Sequence, residues 1–286
     1  MTMTATAAPP SPRLRSNRRR QTLWGIALCA LFLLTVILSP WVIDDGGLSP
    51  VLTQRNQPLS LAHPFGTDWL GRDMLSRSLH GMSLSLRIGL LAAAISALIG
   101  TGLGLAAGTL GGWVDAVITW IVDVFFSLPH LVLLILIAFA AGGGTTGVII
   151  AVALTHWTSL ARVIRAEVLQ VSSSEYVQLS QRLGRSPLWI ARHHMVPHVI
   201  PQLLVGLILL FPHAILHEAA LSFIGIGLSP HIPAIGIILA ESMRHLSTGY
   251  WWLGVMPGIL LLLSVKAFDW LGENVRALLD PKTSQG

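Results

Sequence analysis

With 286 residues, 53% of them hydrophobic and 11% charged, and a mean hydropathy of +0.69, the chain is too apolar for a water-soluble domain, where about a quarter of residues are charged. Its net charge of +5 comes with no zinc-finger spacing, RNA-binding signature or GxxxxGK[S/T] phosphate loop, and its two lysines, Lys266 and Lys282, stand outside any such setting. Nucleic-acid binding and ATP hydrolysis by this chain are therefore excluded, and at roughly 20 apolar residues per span there is room for about six membrane helices. The single cysteine, Cys29, excludes an internal disulfide.

The expected class is all-α and polytopic. Residues 1–21 are Pro-, Ser-, Thr- and Arg-rich, end near Arg18-Arg19-Arg20, and read as a disordered basic N-terminus. Residues 22–82 hold a first span, about Thr22 to Ile43, and a polar segment beyond it. That span is long enough to cross, and Ser39-Pro40-Trp41 lacks a small-x-small cleavage pattern, so it reads as retained. In the polar segment Asp73 and Arg77 are four apart and could pair on a solvated helix.

Residues 83–275 form the main membrane domain. Its first span, about Ser83 to Ala107, carries Gly100, Gly104 and Gly108 at four-residue intervals, a face that lets another helix approach closely. The third span, Asp115 to Ala140, is expected to kink at Pro129. Gly142-Gly143-Gly144 turns the chain, and the fourth span runs from about Gly147 to Val163. The fifth covers about Pro201 to Gly225, and the sixth about Tyr250 to Trp270. Between these two, Ile235 to Leu239 suits a re-entrant or interfacial helix. Residues 276–286 make a polar tail.

The longest polar interruption of the second half is residues 172–201. Ser172 to Ser174 offer N-cap hydroxyls, and Glu175 adds negative charge to a first helical turn. Tyr176, Leu179 and Leu183 fall at helical spacing, with Gln178, Gln181 and Arg182 on other faces. Gly184 ends this helix, Ser186-Pro187 starts a second, and Pro197 and Pro201 bracket the return to apolar sequence. Such a pair of short helices suits docking of a soluble protein, and Trp189 with the basic residues suits a lipid surface equally. Lys and Arg fall mostly in the N-terminus, in this loop and in the tail, rather than in the loops expected on the opposite side. This places the loop and both termini in the cytoplasm.

Gly184, followed after nine residues by His194-Met195-Val196-Pro197, resembles the coupling loop of ABC importer permeases, with its pattern EAA, three residues, Gly, nine residues, I-x-L-P. Phe65-Gly66-Thr67-Asp68, Leu70-Gly71-Arg72-Asp73, Ala219-Ala220-Leu221-Ser222-Phe223 and Gly225-Ile226-Gly227-Leu228 extend the similarity. Over about Thr22 to Pro281 they point to C-type permeases of the dipeptide/oligopeptide/nickel branch. The chain departs at the signature: Gln178-Leu179-Ser180 stands where Glu-Ala-Ala is expected, and His194 and Val196 replace Ile and Leu. The resemblance implies a multi-pass protein of a bacterial inner membrane. It would be paired with a B-type permease, driven by two ATPase subunits that bind ATP and Mg2+, and supplied by an extracytoplasmic binding protein. The ATPase contact would fall on Glu175, Tyr176, Gln178, Leu179, Ser180, Arg182, Gly184, Trp189 and Pro197. This chain itself would hold no cofactor and catalyse nothing.

Charged or polar groups within spans usually face a pore or a partner. The fifth span carries His213, His217 and Glu218, the two histidines one turn apart; they suit either helix–helix hydrogen bonding or transient contact with a metal. Because the family's substrates include nickel and metal chelates as well as peptides, these residues turn the expectation toward a metal cargo, with dipeptide or oligopeptide import as the alternative. Lys266 and Asp269 are placed to pair at i,i+3, and His156 and Trp157 read as packing residues. Two other classes compete. An intramembrane protease would need a constellation that Asp115 and Asp123 do not supply. A stand-alone secondary transporter could use six spans but has no need of a cytoplasmic two-helix loop.

Overall fold

The structure, a computed structural model, describes residues 18–229 and 231–279. Most of the expected basic N-terminus and the end of the tail lie outside the described residues. Among those described, the chain is helical, with one isolated antiparallel bridge between Thr67 and Asp73. Five helices are long and apolar enough to cross a membrane, and a sharply bent pair makes up to a sixth span.

Helix α1 spans Arg18–Val42. Its Thr35 and Ser39 hydroxyls donate to the carbonyls of Leu31 and Val36, so these two need no outside partner. Two 3₁₀ turns, Asp45–Leu48 and Leu52–Gln54, lead to α2, Met74–Leu110. The polar segment before α2 is therefore folded loop, and its expected helix is the first part of α2. Helix α2 is longer than the 83–107 core because Asp73 caps it early, accepting from the Ser76 N–H at 2.8 Å.

The third span is broken rather than kinked. Helices α3, Gly112–Ser127, and α4, His130–Ala140, meet at 102°. Pro129 has no N–H to give, and the residue before a proline disfavours the helical region, which leaves Leu128 extended at φ −95°, ψ 143°. Gly142, Gly143 and Gly144, all at positive φ, then reverse the chain into α5, Gly144–Ser172.

Helices α2 and α5 run parallel in close contact, and the glycine face of α2 makes this possible. A Cβ on Gly100 would stand 2.6 Å from the Trp157 carbonyl oxygen, one on Gly104 2.6 Å from that of Ala161, and one on Gly108 2.7 Å from Val168. Helix α5 is also the most enclosed span, with 67% of its apolar window buried against 28–44% for the other four.

Two short helices follow, α6 (Glu175–Arg182) and α7 (Pro187–Ile190). A π-helical turn, Ala191–Met195, runs into α8, Val196–Phe223. Pro197 sits in the first turn of α8, where a missing N–H costs nothing, so Pro197 and Pro201 lie inside the helix instead of before it. Helix α9, Ile235–Met243, lies at the segment expected to be re-entrant or interfacial and packs into the bundle: Ile235 and Ile238 are buried, and Gly236 lies so close to α8 that a Cβ would meet the Ala219 carbonyl at 2.2 Å. Helix α10, Trp252–Leu279, continues past Trp270 and lays that residue against Gly25 of α1. The central core joins Met82 and Leu86 of α2, Leu134 of α4, Val148 and Val152 of α5, and Phe211 and Ile215 of α8.

Large side chains on the α2 glycine face must push α5 away. Replacing Gly104 with Leu is expected to destabilise the bundle by about 1–3 kcal/mol. Gly102→Ala, whose Cβ meets nothing within 4 Å, costs nothing and is expected to stabilise by up to about 1 kcal/mol through helix propensity; thermal unfolding of the detergent-purified chain measures both.

Candidate functional site

The two-helix loop is held by its backbone and by a small core of its own. Helix α6 ends in a left-handed glycine: Gly184 has φ +77°, its N–H donates to the Gln181 carbonyl, and the Arg185 N–H to that of Ser180, at 3.0 and 3.1 Å. This double closure is the Schellman ending, which a residue with a Cβ enters only at a cost of roughly 1–2 kcal/mol. Nothing lies within 4 Å of a Cβ at Gly184, so the constraint is the backbone angle and not space. At the other end the expected hydroxyl cap is absent; Ser174 donates instead to the Val171 carbonyl at 2.6 Å. Glu175 in the first turn and Arg182 in the last still complement the helix dipole. The second helix is capped by Ser186, whose hydroxyl accepts from the Trp189 N–H.

Beneath the loop, Val177, Ile190, Met195 and Val199 are buried together with Ile164, Val168 and Val171 of α5. The apolar residues expected to define the α6 face point the other way. Tyr176, Leu179 and Leu183 are exposed, with Leu183 at 73% and Leu188 at 81%. Trp189 stacks on His193 at 4.3 Å and lies under the Arg185 guanidinium at 4.6 Å. Two of the positions that depart from the coupling-loop pattern meet each other: Ser180 Oγ is 2.9 Å from His194 Nε2. Tyr176 Oη reaches His198 Nε2 at 3.0 Å, and Gln178 donates to the Ser173 carbonyl at 3.1 Å. Polar contacts thus join α6 to the segment leading into α8.

The polar residues inside the spans fall into two groups. His217 of α8 faces His130, the first residue of α4, and His156 of α5, with ring centroids 4.8 and 5.0 Å away; His130 and His156 are 4.8 Å apart. His213 is exposed and bonded to its own helix through the Leu209 carbonyl. Its spacing to His217 is real, but the ring cluster is built by α4 and α5, and His156 belongs to it rather than to packing alone. Glu218 is wholly enclosed and accepts from the Ser222 hydroxyl at 2.8 Å. Asp115 is held by a double contact to Arg165, at 2.5 and 2.6 Å, which ties α3 to α5. Lys266 and Asp269 pair at 3.5 Å on an exposed face, where such a contact contributes little.

At the far end of the bundle the Phe65–Arg77 segment makes a tight knot. Asp68, fully buried, accepts from the N–H groups of Leu70 and Arg72, from Arg72 Nε at 2.6 Å and from Arg77 Nη1 at 2.8 Å. Arg77 extends the network to Glu241 of α9 at 2.8 Å. The expected Asp73–Arg77 pair therefore does not form. As the N-cap, Asp73 turns back onto Ser76 and bonds His63 at 2.8 Å, while Arg77 answers the more buried carboxylate. Gly71, at φ +76°, passes so close to Val51 that no side chain fits. Sequence spacing gave no sign of this network, because its longest link joins residues far apart in the chain.

Residues 100–283 match the family described as binding-protein-dependent transport system inner membrane component. The chain is 33% identical over 270 residues to the dipeptide transport system permease protein DppC of Bacillus subtilis, covering 94% of this chain and 84% of that protein. The probable D,D-dipeptide transport system permease protein DdpC of Escherichia coli is 36% identical over 261 residues, covering 91% and 87%. The oligopeptide permease OppC of Bacillus subtilis is 33% identical over 270 residues, covering 94% and 88%. Among solved structures, the inward-facing MetNI methionine ABC transporter overlays with a TM-score of 0.53 at 20% identity, over 68% of this chain and 94% of that one, a likeness of fold.

Removing the Asp68 carboxylate leaves two guanidinium groups, Arg72 and the 4% exposed Arg77, to share the single carboxylate of Glu241. Asp68→Ala is expected to destabilise this end by about 3–5 kcal/mol, read as a lowered melting temperature and as new tryptic cleavage at Arg72 or Arg77.

Proposed function

Because this chain belongs to the binding-protein-dependent transport system inner membrane component family, and is thus a permease subunit of an ABC importer, we propose that its cargo is a dipeptide or oligopeptide. The relatives that cover most of its length carry peptide-transport names, and this favours the peptide over the metal reading of the sequence. Two observations weaken the case for nickel. The relatives reported above are all named for peptide transport, and His213, half of the expected pair, is exposed, bonds its own helix and makes none of the ring contacts that join His130, His156 and His217.

The observation that carries the mechanism is the rigid mounting of the two-helix loop on the end of α5. A coupling element must move as one body with the span it drives, and the buried Val177–Ile190–Met195–Val199 core supplies that attachment. Its free face presents Leu179, Leu183 and Leu188 with Gln178, Arg182 and the stacked Arg185–Trp189 pair, a surface of mixed apolar and polar groups suited to a soluble ATPase. In this reading two ATPase subunits bind ATP and Mg2+, one against this loop and one against a B-type permease. A binding protein delivers peptide at the Asp68–Arg77–Glu241 end. The loop and both termini lie in the cytoplasm of a bacterium, as the distribution of Lys and Arg favours. Closure of the ATPases around nucleotide pulls the loop, and α5 transmits the displacement to the pore. A stand-alone carrier leaves this exposed apolar face without a use.

The assembled transporter in proteoliposomes tests the proposal. With the wild-type chain, a labelled dipeptide accumulates on ATP addition and radioactive nickel does not; nickel uptake without peptide uptake overturns it. Gly184→Asp is expected to lower peptide uptake and transport-coupled ATPase activity at least tenfold while membrane abundance stays unchanged, since only the loop ending is strained. Leu183→Asp with Leu188→Asp is expected to abolish co-purification of the ATPase subunits.

A further inference from the structure

Three imidazoles from three helices meet at the break of the third span, and nothing in peptide transport requires them there. His130 opens α4 directly after Pro129, His156 lies in the middle of α5, and His217 lies in α8. One nitrogen from each lies within 4.8 Å of the others. His156, 7% exposed, is the fixed member: its Nδ1 is 3.0 Å from the Val152 carbonyl and 3.0 Å from the Thr155 hydroxyl. Donation to that carbonyl places the proton on Nδ1 and leaves Nε2 as a bare lone pair. Nε2 is buried and has no hydrogen-bond partner. A buried, unpartnered acceptor is expensive, and a ring whose tautomer is held by a backbone carbonyl is the usual preparation of a histidine ligand.

We propose that His130, His156 and His217 bind a divalent transition cation, of the class of Zn2+ or Co2+, and that the bound ion pins α4 to α5 and α8. Three neutral imidazoles are the ligand set that suits such ions, and hard cations such as Mg2+ or Ca2+ are disfavoured by the absence of oxygen donors from the group. With metal–nitrogen bonds of about 2.0–2.1 Å, ligand atoms in a tetrahedral site stand about 3.4 Å apart, so the cluster closes by roughly 1–1.5 Å on binding. The two outer rings can supply this movement: His130 is exposed and His217 half-buried, while His156 stays on its carbonyl. The exposed side of His130 leaves the fourth position free for a further ligand. The ion acts as a clamp on the α4 side of the 102° break, independent of the cargo.

The test uses the untagged full chain, co-purified with its partner subunits in lipid nanodiscs and stripped of metal. Co2+ titration is expected to give one equivalent with the intense visible absorption of a tetrahedral nitrogen site, displaced by Zn2+. His156→Gln and His217→Gln each weaken binding at least tenfold, while His213→Gln does not. Should the His156 variant fail to assemble, His130→Asn, at the exposed edge, reads the same loss without disturbing the core. Hydrogen exchange in the first turn of α4 slows on Zn2+ addition in the wild type and not in His217→Gln. No stoichiometric site in the wild type, or unchanged affinity in His130→Asn and His217→Gln, overturns the proposal.

Discussion

The close approach of α2 and α5 is the constraint on which the other features depend. Without side chains at Gly100, Gly104 and Gly108, the two backbones come within contact of Trp157, Ala161 and Val168, and α5 becomes the enclosed axis of the bundle. An unbroken helix of 29 residues is about 43 Å long, enough to reach from one side of a bilayer to the other. Along that axis α5 carries His156 at the span break, Arg165 in its bond to Asp115, and at its end the buried valines that seat the two-helix loop. A displacement of the loop therefore acts on a stiff rod that touches the span break, the Asp115 contact and the loop core.

The broken third span gives this rod something to act upon. A continuous helix at that place would resist bending, whereas α3 and α4 are joined only through Leu128 and Pro129. Helix α3 is fastened to α5 by Asp115 and Arg165, and α4 by apolar packing that includes Leu134 and Ala138, with His130 against His156 at its start. The two halves can thus follow α5 separately. The opposite end is different in kind: Asp68, Arg77 and Glu241 lock the loop before α2 to α9 through buried charge, and such an arrangement favours one fixed shape.

What could be read from the sequence was whatever a single segment settles by itself. The four-residue glycine interval on α2 and the stop at Gly184 are local statements about backbone, and both appear in the structure where spacing put them. The break at Pro129 was legible as a bend but not in its size, because the angle depends on what α4 packs against. The ion network was misread for a physical reason: Asp73 and Arg77 satisfy an i,i+4 rule, yet that rule competes with a cap on one side and a more buried carboxylate on the other. The histidine cluster was half seen. His213 and His217 share a helix face, but the neighbours of His217 come from helices whose approach no periodicity encodes.

The departures from the coupling-loop pattern follow the same logic. Taken singly, Ser180 in place of alanine and His194 in place of isoleucine each put a polar group where an apolar one is expected. In the structure they face each other at 2.9 Å, with the Tyr176 ring 5.4 Å from that of His194 and Tyr176 bonded to His198. Ser180 also donates to the Tyr176 carbonyl at 3.0 Å, and its contact with His194 adds across the seam a hydrogen bond worth about 0.5–1.5 kcal/mol. The seam is not part of the buried core, which remains Val177, Ile190, Met195 and Val199. The loop thus keeps its apolar mounting and changes only the strap across its outer side. Departure from the Glu-Ala-Ala letters consequently changes the outer surface of the loop, while the apolar core that attaches it to α5 remains.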